Sequence, residues 1–356
     1  MAKSTESRIS EPNILFLFTD QQRPDWLGTN PEVPVRTSNL DVLANRGTQF
    51  TNAVCPSPVC NPSRACIASG MEYDRCGVPA NNVDYPLNQL MYQQRLRDQA
   101  GYHVMGCGKF DLTYDFPLGL SGSHRIEQWG FSDATFNPAL NNTVRRIEKD
   151  PNSEPRDPYT KYLEENGLLG EHIQDYQRRR EEGRWTVTFP TPLSDEAYYD
   201  NWITRQGLDL LADAPDDKPW FLQVNFQNPH DPWDITERMH DLYREPDVTF
   251  PSPVASDLDI SAETHQEVGR NYAAMIEHLD ECVGRFLNTL EERGELKEIL
   301  IVFSSDHGEM LGDHEQWQKL SPLQASVGVP LIIAGPDVVS MPLREPPATI
   351  LDLHAT

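Results

Sequence analysis

Five uninterrupted apolar runs constrain the chain most: NILFLFT (13–19), YHVMG (102–106), WFLQVNF (220–226), ILIVFSS (299–305) and VPLIIAG (329–335). A strand that is apolar on consecutive residues has no face to give to water, so it must be covered on both sides. Between these runs the spacing becomes helical. It is plainest at 271–287, where Tyr272, Met275, Ile276, Leu279, Val283, Phe286 and Leu287 fall on one side and Glu277, Asp280 and Glu281 on the other. Strands alternating with helices specify an α/β fold with a central, mostly parallel sheet flanked by helices.

The stretch 111–194 departs from this rhythm. It is rich in Pro, Asn, Asp, Glu and Arg, including QRRREEGR, and carries no long apolar run. It reads as an insertion running over the sheet edge within a single catalytic domain spanning 1–356, either a substrate-selecting lid or a solvated decoration.

In open parallel sheets, ligands bind beyond the carboxyl ends of the strands. Here the first run ends in Asp20-Gln21, the second is followed by Lys109, the third by His230 and the fourth by Asp306-His307. Each residue alone has an ordinary reading as a turn cap or a solvated side chain. Together they bring oxygen ligands, a cation and an imidazole to one edge. Asp20, Gln21, Asp306 and His307 form a mainly hard donor set, which favours Ca²⁺ or Mg²⁺ over a thiolate-bound transition metal. Glu309, Asp313, His314 and Glu315 extend the acidic cluster but read as a solvated loop.

The formal net charge of -25 repels nucleic acid and anionic membrane surfaces, so neither is expected as a partner. It also means that any anion site must carry its own cations. The 6 cysteines are irregularly spaced, without a CxxC pair, and most are expected to be buried thiols rather than a disulfide framework, with one left as a candidate for chemistry. With no apolar run near the roughly 20 residues that span a bilayer, and no apolar core in the opening segment, the expected location is cytoplasmic.

VCNPSRACIASG (59–70) then singles out Cys60, which stands just ahead of Pro62, Ser63 and Arg64. This Cys-x-Pro-Ser-Arg core resembles the signature of the type I sulfatases, of the alkaline phosphatase superfamily. The segments ILFLFTDQQRPDWLG, GYHVMGCGK, NFQNPHDP and FSSDHGEMLGDHEQWQK with VPLIIAGP follow the same family in the same order. The resemblance implies an alkaline-phosphatase-like sandwich. It also implies that a formylglycine-generating enzyme converts Cys60 to Cα-formylglycine, with Pro62 and Arg64 in the motif read by that enzyme.

The implied chemistry is sulfuric ester hydrolysis. One hydroxyl of the hydrated aldehyde attacks sulfur while the alcohol departs, and the second then expels sulfate and regenerates the aldehyde. Carried over by position, Asp20, Gln21, Asp306, His307 and modified Cys60 would bind the cation. Lys109 and Lys319 would hold the sulfate oxygens, Arg64 would steady the modified residue, and His230 would protonate the leaving oxygen of a small-molecule or saccharide sulfate ester.

Three departures stand out. The family's Lys-x-His continues here as GKFDL, so Asp111 occupies the place of a histidine associated with breakdown of the intermediate, for which His103 and His124 are substitute candidates. The first metal pair is Asp-Gln rather than Asp-Asp. The sequence ends at PPATILDLHAT, where sulfatases continue into a smaller C-terminal subdomain. It therefore reads as a truncated product, a minimal form, or a homo-oligomer in which a partner subunit supplies the missing wall. Alternative activities are phosphonate monoester or phosphodiester hydrolysis at the same site, non-catalytic binding of sulfated ligands, and thiol redox chemistry.

Overall fold

The computed structural model describes residues 11–113, 123–152 and 157–354, with residues 123–125 and 342 described by backbone alone. Ten strands occur among the described residues: β1 (Asn13–Thr19), β2 (Thr48–Phe50), β3 (Ala53–Val54), β4 (His103–Lys109), β5 (Asp133–Asn137), β6 (Trp220–Asn225), β7 (Ile299–Ser305), β8 (Leu331–Ala334), β9 (Met341–Arg344) and β10 (Ala348–Thr349). Eight form one sheet in the order β5-β4-β6-β1-β7-β8-β2-β9, while β3 and β10 make a small parallel pair. The strands β5, β4, β6, β1 and β7 are mutually parallel.

All five apolar runs are strands, but the last differs in direction from the expected parallel arrangement. β8 runs antiparallel to β7 and to β2, so it does not bring its carboxyl end to the same edge. A continuous apolar run reports burial on both faces and is indifferent to strand direction.

Alternate residues of each central strand enter opposite cores. Leu15, Leu17, Leu222, Val224, Ile301 and Phe303 pack on one face, with Leu40 and Leu43 of the helix Ser38–Arg46, Ile203 of Tyr199–Ala212, and Leu279, Val283 and Phe286 of Ala262–Glu292. Phe16, Phe18, Phe221 and Val302 pack on the other, with Ala65, Cys66 and Ile67 of the helix Cys60–Ser69. Each large apolar side chain removed from water in this way contributes about 1.5–3 kcal/mol, which makes the double coverage of the sheet the main source of stability.

The predicted helix at 271–287 is part of Ala262–Glu292, and its seven apolar residues are buried. Asp280 was expected on the solvent side, yet it is buried. Its carboxylate accepts from the backbone N–H groups of Leu40 (2.7 Å) and Asn39 (3.0 Å), filling the first turn of Ser38–Arg46, which has no side-chain cap of its own. Burial pushes the Asp280 carboxyl up to about 6.

The 111–194 stretch is more than an excursion. It supplies the edge strand β5, which pairs in parallel with β4, and the helices Leu140–Lys149, Pro158–Glu165 and Leu169–Glu182. Leu140, Val144, Ile147, Tyr159, Leu163 and Tyr176 join the main core. No helix among the described residues is long and apolar enough to cross a membrane.

Candidate active site

The carboxyl ends of β1, β4, β6 and β7 lie together because these strands are parallel neighbours in the sheet. Asp20 follows β1, Lys109 is the last residue of β4, His230 lies beyond β6, and Asp306-His307 follows β7. The helix Cys60–Ser69 aims its first residue at the same place. Cys60 is the first helical residue, after extended Val59, and Pro62 is the third. Proline costs nothing there, because first-turn amides have no acceptor within the helix. The first intrahelical bond runs from Ser63 N–H to the Val59 carbonyl at 2.9 Å.

Two glycines permit the close approaches. Gly108, at φ +91°, brings β4 so near to β6 that a Cβ would stand 1.9 Å from the Asn225 carbonyl oxygen, and this sets Lys109 at the strand end. At Gly308 a Cβ would lie 2.0 Å from the Ala325 carbonyl oxygen. Any side chain at either position would displace backbone beside the site.

Ligand atoms of Asp20, Cys60, Asp306 and His307 all lie within 4.8 Å of one another, and all four residues are buried. The Cys60 sulfur is 3.2 Å from Nε2 of His307 and 3.8 Å from Oδ1 of Asp20. Nδ1 of His307 faces the Gly308 carbonyl at 3.0 Å, so it carries the proton and leaves the Nε2 lone pair turned to the cluster. Burial pulls the His307 pKa down and favours the neutral, ligating form. Two buried carboxylates, a neutral imidazole and a position-60 donor fit a divalent cation.

Burial by itself would raise the pKa of Asp20. Lys109, His230, Arg64 and Lys319 outweigh it and hold the carboxyl well below the usual range. The Lys109 ammonium donates to Asp20, lies 3.2 Å from Asp111 and 3.8 Å from the Cys60 sulfur. Lys319, on the half-buried stretch after the DHG segment, donates to Oε1 of Gln21 (2.5 Å) and to Nε2 of His230 (2.9 Å), and is 3.3 Å from the Cys60 sulfur. It is not the solvated lysine its local sequence would allow. Nδ1 of His230 donates to the Asp231 carbonyl at 2.6 Å, which turns Nε2 toward Lys319.

The position-by-position expectations are met unevenly. Arg64 is inside the site but makes no hydrogen bond to Cys60. Its Nε donates to Asp306 (2.8 Å), its Nη1 to the Lys109 carbonyl (2.6 Å), and its Nη2 lies 3.5 Å from Asp20, so it fixes the carboxylates. Gln21 has positive φ (66°), and its carboxamide donates to Glu309 and Asp231 while accepting from Lys319. Its oxygen is therefore engaged with Lys319 in this arrangement. Asp111 is buried beside Lys109 at φ 48°.

His103 cannot replace the missing histidine. It begins β4 at the opposite edge of the sheet and pairs with Asp133 at 2.8 Å. The side chain of His124 lies outside the described residues. Glu309, expected in a solvated loop, is fully buried, pushed up to about 7 by burial, and accepts from the N–H groups of Leu311 and Gln318 as well as from Gln21. Asp313 is also buried and pairs with Arg23 at 2.8 Å, whereas His314 and Glu315 are exposed as expected.

Sequence reasoning passed over Asp231, Gln318 and Arg184. Asp231 is completely buried. Its Oδ1 accepts from Gln318 at 2.8 Å and its Oδ2 from Arg184 at 2.6 Å. Burial would raise its pKa, but His230, Arg184 and Lys319 keep it ionised. Its only local signal was its place next to His230. All six cysteines are free and buried, as the spacing implied.

The structure resembles the phosphonate monoester hydrolase of Agrobacterium radiobacter, with a TM-score of 0.72 at 22% identity, covering 96% of this chain and 72% of that one. It therefore has the expected alkaline-phosphatase-like fold. In sequence the chain is 29% identical over 348 residues to an arylsulfatase of Clostridium perfringens, covering 92% of this chain and 69% of that protein. It is 28% identical over 371 residues to a choline-sulfatase of Rhizobium meliloti, covering 97% of this chain and 67% of that protein. The sulfatase family model matches residues 12–356, and the chain belongs to the sulfatase family.

Proposed function

We propose that this protein hydrolyses sulfate monoesters to an alcohol and sulfate, with Cys60 as the precursor of the nucleophile. The observation that carries this reading is the position of the Cys60 sulfur, 3.2 Å from His307 in the buried metal-ligand cluster and 3.3 Å from the ammonium of Lys319. A nucleophile at residue 60 thus has metal ligands on one side and a cation for an incoming oxyanion on the other.

Formylglycine at position 60 would supply, as its hydrate, the hydroxyl that attacks sulfur. Cys60 is 2% exposed, so a maturation enzyme needs the chain before it has closed around this residue. A divalent cation held by Asp20, Asp306, His307 and residue 60 would polarise a sulfate oxygen and lower the pKa of the attacking hydroxyl; Ca²⁺ is the first candidate, followed by Mn²⁺ and Mg²⁺.

The chain's own groups do the rest. Lys109 and Lys319 hold the sulfate oxygens and balance the charge that builds on them. As the new O–S bond forms and the ester O–S bond breaks, the departing alkoxide needs a proton. His230 gives it from Nε2, while the Asp231 carbonyl holds the other ring nitrogen. Nε2 accepts from Lys319 at 2.9 Å in the structure, so the ring takes up the proton it will give from solvent, and Lys319 keeps its charge for the sulfate. Asp111, 3.2 Å from Lys109, is the base available to take the proton from the second hydroxyl as sulfate is expelled.

Matured protein with bound metal should cleave at least one member of an aryl, saccharide and choline sulfate panel, and Cys60→Ala should abolish that turnover. If no ester is cleaved while sulfated ligands still bind, the protein is a binder and the hydrolase reading fails. A phosphonate monoester is the second substrate class, since it presents a similar monoanionic tetrahedral centre to Lys109 and Lys319. Matched aryl sulfate and aryl phosphonate monoesters compared on kcat/KM decide between the two.

A further inference from the structure

The stretch 111–194 brings two side chains to Asp231, the residue next to His230. Asn141, in the first turn of Leu140–Lys149, donates to the Asp231 carbonyl at 3.2 Å. Arg184 follows the helix Leu169–Glu182 and left-handed Gly183, and its Nε donates to Oδ2 of Asp231 at 2.6 Å. The partner carboxylate is completely buried, whereas the Arg184 side chain is 26% exposed. The pair is thus a buried anion holding a guanidinium at the surface by one nitrogen.

What that leaves free is informative. No hydrogen bond joins the two terminal nitrogens of Arg184 to any described residue, and neither is among the buried polar atoms that lack a partner. They are two parallel donors open to solvent. Their direction is restrained from below, because the guanidinium sits 5.9 Å from the centre of the Trp185 ring, and the Trp185 carbonyl is held by the indole N–H of Trp233 at 2.8 Å. One turn beyond Asn141, on the same helix face, Arg145 is exposed and has no ion pair among the described residues. In a chain of net charge -25, this is a local concentration of available cations next to the group that protonates the leaving oxygen.

We propose that Arg184 is a specificity-determining residue that binds a carboxylate on the alcohol part of the sulfate ester. The planar fork of the free nitrogens matches a carboxylate bidentately, and Asp231 supplies the rigidity by holding the third nitrogen. The preferred substrates are then sulfate esters of hydroxy acids, whether aromatic or uronic, and a quaternary ammonium alcohol such as choline is disfavoured by like charge. The inference deepens the proposed sulfate-ester reading and rests on it for the orientation of the substrate.

The test separates the two. In metal-loaded Cys60→Ala protein, calorimetric titration compares phenyl sulfate with 4-carboxyphenyl sulfate, which differ by one carboxylate. The carboxylated ester should bind about tenfold more tightly, and Arg184→Met should reduce that advantage to less than about threefold. Because Arg184→Met removes one of the cations that face buried Asp231, Arg184→Lys serves as the second variant. It keeps a charge beside Asp231, lacks the fork, and should lose most of the preference while melting within a few degrees of the parent. Equal binding of the two esters to the parent, or a preference that survives in both variants, overturns the proposal. An intact, Arg184-dependent binding preference in a matured, metal-loaded protein that cleaves no member of the aryl, saccharide and choline sulfate panel supports the carboxylate site and refutes the hydrolase.

Discussion

Arg64→Met tests whether a buried cation holds in place the two carboxylates proposed to bind the metal. The guanidinium is 4% exposed and meets Asp306 at 2.8 Å, the Lys109 carbonyl at 2.6 Å and Asp20 at 3.5 Å, while both carboxylates are fully buried. Methionine keeps most of the volume and removes the charge and the donors. Breaking a buried ion pair from one side costs about 3–5 kcal/mol, and leaving a buried carbonyl without its donor costs about 1–3 kcal/mol. The contacts share one group and are not additive, so a loss of about 4–6 kcal/mol is expected in chelator. A divalent cation neutralises the same two carboxylates, so in saturating metal the loss should fall to less than about half. Urea unfolding of parent and variant, with chelator and with metal, gives both numbers. An equal loss under the two conditions, or a larger one with metal, would show that Arg64 does not balance these charges.

Other outcomes follow from buried groups and total charge. His172 is 1% exposed, both of its ring nitrogens lack a partner, and burial together with nearby Arg179 lowers its pKa to about 4. A histidine whose folded pKa is depressed is protonated more readily when unfolded, so it destabilises as pH falls from 6.5 toward 4. His172→Phe should therefore gain about 2 kcal/mol at pH 5 from this term and close to none at pH 7, read by urea unfolding at each pH; a gain independent of pH would assign the effect to packing. Asp111→Asn keeps the shape beside Lys109 but removes a base, so rapid mixing should show a burst of alcohol followed by slow turnover. Unchanged steady-state turnover would place the base elsewhere. With 55 acidic and 30 basic residues, raising NaCl from about 0.05 to 1 M should increase the melting temperature through screening; a flat or falling curve would mean that the excess charge is already offset locally.

The legible part of this fold was its centre. Strands buried on both faces write themselves as continuous apolar runs, and the rule for parallel sheets then placed Asp20, Lys109, His230 and Asp306 together without further information. β5 escaped because DATFN at the sheet edge is only partly buried and has no continuous apolar pattern. The acidic residues divided for a reason composition cannot supply. Glu309 and Asp280 look solvated in sequence, yet each is buried where backbone N–H groups converge on it, from its own loop at Glu309 and from the helix Ser38–Arg46 at Asp280. Arg184 and Asp231 are far apart in the chain, and only the packing of the 111–194 helices against the main core makes them partners.

The most direct test of the account is the mass of the peptide containing Cys60, measured together with turnover, in protein made with and without a formylglycine-generating enzyme. The account predicts a residue lighter than cysteine by the thiol-to-aldehyde difference, captured by an aldehyde reagent, and sulfate release in proportion to the modified fraction. Sulfate release from protein whose Cys60 is wholly unmodified, or a fully converted residue 60 with bound metal and no turnover on any sulfate ester, would contradict it.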